Sequence, residues 1–327
     1  MDGEARRFLE DPAAMSCPWV ESPFFEELLA ASDLDAKDKE LARRFHDDGY
    51  LVLEDAVDLA LVDRIVADYP RLFDPANEFR DAPKTVRPLL RRDANRKQDA
   101  WWVSPPVREL ACLERILHVL RVLYRREPIP FQTLNFLPGT EQSLHSDMIH
   151  FSSIPARFMC GVWVALEDAT ADNGPLRYVP GSHRMDEIHL GALGLWAEEE
   201  GPRLGAGYAL YERFLEALVR KHDLPVKELH VKKGGALVWA ANLLHGGAAI
   251  TRPGSTRKSQ VTHYYFEGCV HYTPVFSNAS LGEIHLRCVY DLRRGKRVEP
   301  MLNGETLDAK PLGGGRYRLS RPRKGFW

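Results

Sequence analysis

The sequence predicts a mainly β protein, an antiparallel barrel or sandwich buttressed by helices that come first along the chain. Two observations carry this. Before about residue 127, apolar residues recur at three- and four-residue steps, the spacing of one helix face. From Pro128 onward the texture changes to short runs rich in β-branched and aromatic residues, separated by Gly, Pro and Asn turns. With 327 residues, 44% of them hydrophobic and 28% charged, the composition is that of a soluble globular protein.

Taken in order, a helical patch spans Phe24 to Ser32 and a second helix Asp38 to Asp48, broken by Gly49. "YLVLEDAV" then reads as a strand, and "DLALVDRIVADYPRLF" as a helix with Leu61, Ile65 and Leu72 in register. From Val107 to Tyr124 the leucines at 110, 113, 117, 120 and 123 predict one helix, with Pro106 suited to its first turn and Pro128 and Pro130 ending it. The predicted strands are "PFQTLNFL", "RFMCGVWVAL", "LRYVPG", "GALVWAA", "SQVTHYYF", "HLRCVYDL" and "RYRLS". Residues 186–230 interrupt them with a polar insertion containing the helical "YALYERFLEALVRKH", more apt for a lid or substrate-facing structure than for core. The expected organisation is a single domain: a buttress over 1–127, a β core over 128–290, and a hairpin extension over 291–327 with turns at Asn303-Gly304 and Gly313 to Gly315.

Several function classes are set aside by bulk properties. A net charge of −2 gives no global field for nucleic acid or an anionic membrane. Five scattered cysteines without CxxC spacing argue against a disulfide framework or a thiolate zinc site. No apolar run reaches the roughly 18 to 20 residues a membrane span requires. The N-terminal "MDGEARRFLEDPAAM" is acidic and lacks an apolar signal core, so a cytoplasmic protein is expected.

The chemistry gathers around "SLHSDMIHF", residues 143 to 151. On an extended segment His145 and Asp147 point to the same side, and with a distant histidine they would make a two-histidine, one-carboxylate facial triad. Such a triad leaves adjacent positions on iron(II) open for a bidentate co-substrate and dioxygen. Among 12 histidines, an HxD pair also arises by chance. The candidate third ligand is His245, which ends an apolar strand and is followed by Gly246-Gly247, a pair that permits close backbone approach. Arg257 opens the next strand, and a guanidinium pairs bidentately with a carboxylate such as the far end of an oxo-acid. His150 lies at odd offsets from both His145 and Asp147, so on an unbroken strand it faces away from Asp147.

"FHDDGYLVLEDAV", "HSD", "VWVALEDATADNGPLRYVPGSH" and "LLHGGAAITRPGSTRK" together resemble the phytanoyl-CoA dioxygenase family over roughly residues 42 to 290. The resemblance implies a double-stranded β-helix (jelly-roll, cupin-like) core and an iron(II)- and 2-oxoglutarate-dependent oxygenase. By it, His145, Asp147 and His245 match the iron ligands, and Arg257 the anchor of the distal 2-oxoglutarate carboxylate. Arg257 follows His245 by 12 residues, one more than is usual in the family, so Lys258 and Arg252 are the neighbouring cations to weigh. Thr133 and Asn135 match positions lining the co-substrate, with Gln132 facing the other way. Trp163 falls where the family places an aromatic residue against it, or serves as core. The hydroxyl common two residues after the distal histidine is replaced here by Gly247. Because related halogenases lack the carboxylate, Asp147 favours hydroxylation. His183 and the Asn173-Gly174-Pro175 turn read as scaffold.

The implied reaction hydroxylates an aliphatic C–H of a small molecule with 2-oxoglutarate and O2, releasing succinate and CO2. A cupin-like metal-binding module or an inactive family member is the alternative. For substrate, "KTVRPLLRRDANRKQDAWW" (84–102) is either an anion-gripping arginine cluster stacked on Trp101-Trp102 or a solvated basic loop. Tyr264, Trp239 and the insertion are further candidates for shaping the pocket.

Overall fold

The structure is a computed structural model describing residues 17–194, 202–302 and 305–320. The acidic N-terminal segment, the Asn303-Gly304 turn and the basic C-terminal end lie outside the described residues. Two helices begin where a carboxylate can satisfy their free amide groups. Asp35 accepts from the Asp38 N–H at the head of Ala36–Asp48, and Asp58 from the Ala60 N–H at the head of Leu59–Leu72. Gly49, at φ +76°, closes the first helix in the left-handed conformation, and strand β1 (Tyr50–Leu53) follows. The single helix predicted over 107–124 is two, Pro105–Ala111 and Glu114–Tyr124. Leu113 is extended (φ −65°, ψ 119°) and starts the second helix, so the leucine spacing continues across a break.

The strands are β2 (Arg96–Gln98), β3 (Pro128–Phe136), β4 (Ser152–Ile154), β5 (Met159–Ala165), β6 (Leu176–Tyr178), β7 (Lys227–Glu228), β8 (Ala236–Ala240), β9 (His245–Gly247), β10 (Ser259–Phe266) and β11 (Val270–Tyr272). Six form an antiparallel sheet in the order β1-β8-β5-β10-β3-β2, opposed by the smaller sheets β7-β6-β9 and β4-β11. Cys160, Val162 and Val164 share one core cluster with Phe45, Ile65 and Leu117 of the helices, so this face of the large sheet is sealed by the buttress. Trp163, Leu237, Trp239 and Val261 on the other face meet Leu176 and Tyr178 of the small sheet. Both faces of the central strands are therefore apolar, the double-stranded β-helix arrangement with flanking helices.

"SQVTHYYF" and "RYRLS" are strands over their predicted residues, whereas "HLRCVYDL" is broken into the short strands Ile284–His285 and Tyr290–Asp291 with an isolated bridge from Leu286 to Tyr272. Its backbone changes partner along its length. The Arg287 N–H donates to the His271 carbonyl of β11, and the Leu292 N–H to Pro130 of β3. Among the described residues no helix is long and apolar enough to cross a membrane.

Candidate active site

His145, Asp147 and His245 are buried and converge, each offering a ligand atom within 4.8 Å of the others. The backbone explains how. Ser146 is extended (φ −109°, ψ 141°), so its neighbours share one side while its own hydroxyl turns away to the Ala241 carbonyl. His145 and His245 exchange backbone hydrogen bonds of 2.9 Å in both directions. That approach depends on glycine: a Cβ at Gly246 would lie 2.6 Å from the Gln142 carbonyl, and one at Gly247 2.8 Å from the Glu141 nitrogen. The glycines thus bring β9 against residues 141–145.

Each histidine is held by its Nδ1, 3.0 Å from the Ser143 carbonyl for His145 and 3.0 Å from the Leu243 carbonyl for His245. A carbonyl only accepts, so both Nδ1 atoms carry the proton and both Nε2 lone pairs face the cluster, with the Gln142 side-chain amide 3.4 Å from that of His145. Burial lowers both side chains to pKa values of about 4, with repulsion from His245 adding to the effect at His145. Both rings are therefore neutral near pH 7, as a ligand must be. Asp147 is oriented from the far side. Trp239 Nε1 donates to its Oδ2 at 2.8 Å and His263 Nε2 lies 3.6 Å from the same oxygen, while Oδ1 faces His245 Nε2 at 3.8 Å. His263 is in turn fixed through its Nδ1, 3.1 Å from the Gln132 side chain. Gly161 pairs directly with Trp239, and a Cβ there would come within 2.2 Å of the indole, so this strand leaves the ring its space. Two histidines and a monodentate-ready carboxylate are a donor set suited to iron(II).

These residues line a cavity of about 620 Å³ that also reaches Arg257 and Trp163. Arg257 is 2% exposed, its guanidinium lies 5.3 Å from the Trp163 ring, and burial lowers its pKa only to about 10, so it stays charged. Its Nε and Nη1, together with Trp163 Nε1, have no hydrogen-bond partner among the described residues. Buried donors of this kind fit a carboxylate guest. Lys258 is occupied by Glu167 at 2.9 Å and Arg252 by Asp172 at 3.2 Å on the surface, so neither replaces it.

Some expectations are corrected. Thr133 and Asn135 do not line the cavity; Gln132, Leu134 and Phe136 do. Asn135 instead donates to Gln260 at 3.3 Å, behind the sheet. With eight of the nine residues of β3 buried, its pattern carries no inside–outside signal. Tyr264 also faces the buttress, donating to the Ala111 carbonyl, whereas Trp239 faces the cavity. Trp101 and Trp102 stack on each other at 4.1 Å and lie outside the cavity lining, which Arg92 and Arg96 do join.

His150 is absent from the metal cluster because a 3-10 turn, Asp147–Ile149, replaces the continuing strand. It lines the cavity and lies 3.2 Å from the hydroxyl of Tyr208, on the inserted helix Pro202–Lys221. At Gly247, the Thr140 hydroxyl lies 3.0 Å from where a side chain would begin, putting a cavity-lining hydroxyl in that space. His183 is scaffold, its Nε2 3.1 Å from the His46 carbonyl, and Asn173 ties its own turn through the Asp168 carbonyl and the Thr170 N–H. Gln132, expected on the opposite face, lines the cavity, and His263 and Arg287 were not singled out by any motif; only their polar character within apolar or aromatic runs could have flagged them. A second cavity, of about 590 Å³, is lined by Arg294 and Glu267, which pair with each other, and lies apart from the histidine cluster.

A family model described as phytanoyl-CoA dioxygenase matches residues 45–259. Among curated relatives, an ectoine dioxygenase of Sphingopyxis alaskensis is 29% identical over 63% of this chain and 68% of its own. A phytanoyl-CoA dioxygenase domain-containing protein 1 of Danio rerio is 32% identical, but over 36% of this chain and 37% of that one. A probable phytanoyl-CoA dioxygenase of Caenorhabditis elegans is 28% identical over 40% and 38%. The matches to these last two span little more than a third of the relatives' length. Among solved structures, the epimerase SnoN from nogalamycin biosynthesis superposes with a TM-score of 0.55 at 21% identity, over 87% of this chain and 98% of that one. EctD of S. alaskensis, solved with bound Fe, gives a TM-score of 0.52 at 23% identity, over 72% and 78%. Both likenesses are of fold.

Proposed function

Because the chain belongs to the phytanoyl-CoA dioxygenase family, we propose that it is an iron(II)- and 2-oxoglutarate-dependent dioxygenase that hydroxylates an aliphatic C–H of a small molecule. The observation that carries the reading is the pairing, in one cavity, of two opposite kinds of group. At one end, the unprotonated Nε2 atoms of His145 and His245 converge with Asp147 Oδ1. At the other, Arg257 presents buried donors that no atom of the described residues satisfies.

His145, Asp147 and His245 would hold iron(II), and Arg257 would take the distal carboxylate of 2-oxoglutarate, with Trp163 against its chain. When bound, iron(II) supplies the redox chemistry by which 2-oxoglutarate and O2 convert R–H to R–OH with release of succinate and CO2. The residues' own contribution is orientation and exclusion of water. Trp239 and His263 fix Asp147, the backbone carbonyls fix the two imidazoles, and Phe136, Leu134 and Val261 keep the cavity wall dry. A metal-binding module without oxygenase activity would have no use for an arginine kept buried and unpaired.

Anaerobic protein given iron(II) and 2-oxoglutarate should show a weak visible charge-transfer band. His145→Ala should lose both the band and succinate release. A fully iron-loaded protein with no band, and with no 2-oxoglutarate consumption against a broad metabolite panel, would sink the reading.

A further inference from the structure

We propose that the substrate carries an oxyanion group, a carboxylate or a phosphate, on a compact apolar body, and that Arg287 grips the anion. The inference rests on the oxygenase reading and names the substrate class of that same site. It begins with charge. The cavity is lined by four arginines, Arg92, Arg96, Arg257 and Arg287, and by one carboxylate, Asp147. Once loaded, the formal charges of iron(II), Asp147, dianionic 2-oxoglutarate and Arg257 cancel. That leaves Arg92, Arg96 and Arg287 in the wall with no further acid in the lining, the buried Asp99 that interacts with Arg287 lying outside it.

Arg96 leans on Asp93, at 3.7 Å, outside the lining. Among the described residues, neither Arg92 nor Arg287 pairs with a carboxylate. Arg287 is the better placed of the two. Its guanidinium lies 4.5 Å from the Phe151 ring centre and 5.3 Å from that of Phe131, so aromatic surface supports it without neutralising it. Among the described residues its one side-chain hydrogen bond is a long one, 3.5 Å, to the Thr273 hydroxyl. Most of its five donors therefore remain for a planar oxyanion.

The position relative to the metal cluster is also defined. Phe151 touches Arg287 on one side and stands 4.7 Å, centre to centre, from the His263 ring on the other, and His263 adjoins Asp147. An anion on Arg287 thus sits one aromatic ring beyond the His263–Asp147 pair. Phe151, Val275 and Phe276 line the same part of the cavity, which suits an apolar body there. Since about 620 Å³ must also admit 2-oxoglutarate, that body is compact.

The test uses matched probes on the anaerobic iron(II)–2-oxoglutarate protein: 4-phenylbutanoate against 4-phenylbutanamide, and phenyl phosphate against phenol. Binding is read by perturbation of the visible band and, independently of iron chemistry, by thermal shift. We expect at least one anion to bind tenfold or more tighter than its neutral partner, and which one identifies carboxylate or phosphate. Arg287→Met should erase the preference while the visible band persists, and Arg287→Lys should retain part of it. Equal binding of anion and neutral partner throughout, or an undiminished preference in Arg287→Met, overturns the proposal. An anion preference by thermal shift in protein that shows no band supports the anion site and counts against the oxygenase reading instead.

Discussion

The two ends of the cavity treat their polar atoms differently. At the histidine end, each imidazole has a backbone carbonyl on Nδ1, and the outer oxygen of Asp147 has the Trp239 indole. At the arginine end, Arg257 Nε and Nη1 and Trp163 Nε1 are buried without partners among the described residues. A group already held in place binds its guest with little ordering cost, and its geometry survives without the guest. A buried charge left unsatisfied destabilises the empty protein and is relieved by the guest itself. The metal cluster is thus a preformed site, and the arginine end stores free energy for the co-substrate.

This contrast is broken most sharply with protons. His145, His245 and His263 have folded-state pKa values near 4, against 6.5 for an ordinary histidine. Between those values the unfolded chain binds more protons than the folded one, so stability falls as pH drops from about 6.5 to about 4. The loss should be on the order of several kcal/mol for the three together, read as a falling Tm of metal-free protein, whereas iron(II) affinity of the folded protein should hold until the pH nears 4, where His145 and His245 themselves take up protons.

Arg257→Met acts at the other end. It should raise the 2-oxoglutarate KM roughly 100-fold, through loss of two charge-assisted hydrogen bonds. It should also raise the Tm of the empty protein by a few degrees, since an unsatisfied buried charge is gone. A lowered Tm would remove the claim that free energy is stored there. Trp239→Phe is the mildest change, keeping an aromatic ring but freeing Asp147 Oδ2. Iron(II) affinity measured by titration should weaken about 10-fold, while the 2-oxoglutarate KM at saturating iron stays within twofold.

Much of this was legible in the chain. The HSD triplet and His245 each carry a local reason for their position, in an extended serine and a glycine pair, while Arg257, expected to open a strand, stands two residues before β10. The face of β3 was not legible, because a strand apolar on both sides loses the alternation that tells inside from outside; hence Gln132, and not Thr133 or Asn135, reaches the cavity. Arg287 was hidden for another reason. It lies where the chain passes from the edge of β11 to that of β3, and such a handover leaves no periodic trace. The helix break at Cys112-Leu113 escaped because Leu113, which makes no side-chain capping bond, keeps the leucine spacing running across it in place of a capping residue that would have marked the break.

Gly161 contributes nothing to the cavity except room, yet its pairing with Trp239 ties the aspartate to the centre of the sheet. The indole acts as a strut whose foot stands in the β5–β8 register and whose tip holds one carboxylate oxygen. Since the reverse face of that same register is packed by the N-terminal helices, the set of the strut is inherited from the buttress. Repacking far from the cavity, around Phe45 or Leu117, would therefore be felt as a change in how the carboxylate meets its metal, with every ligand still in the sequence.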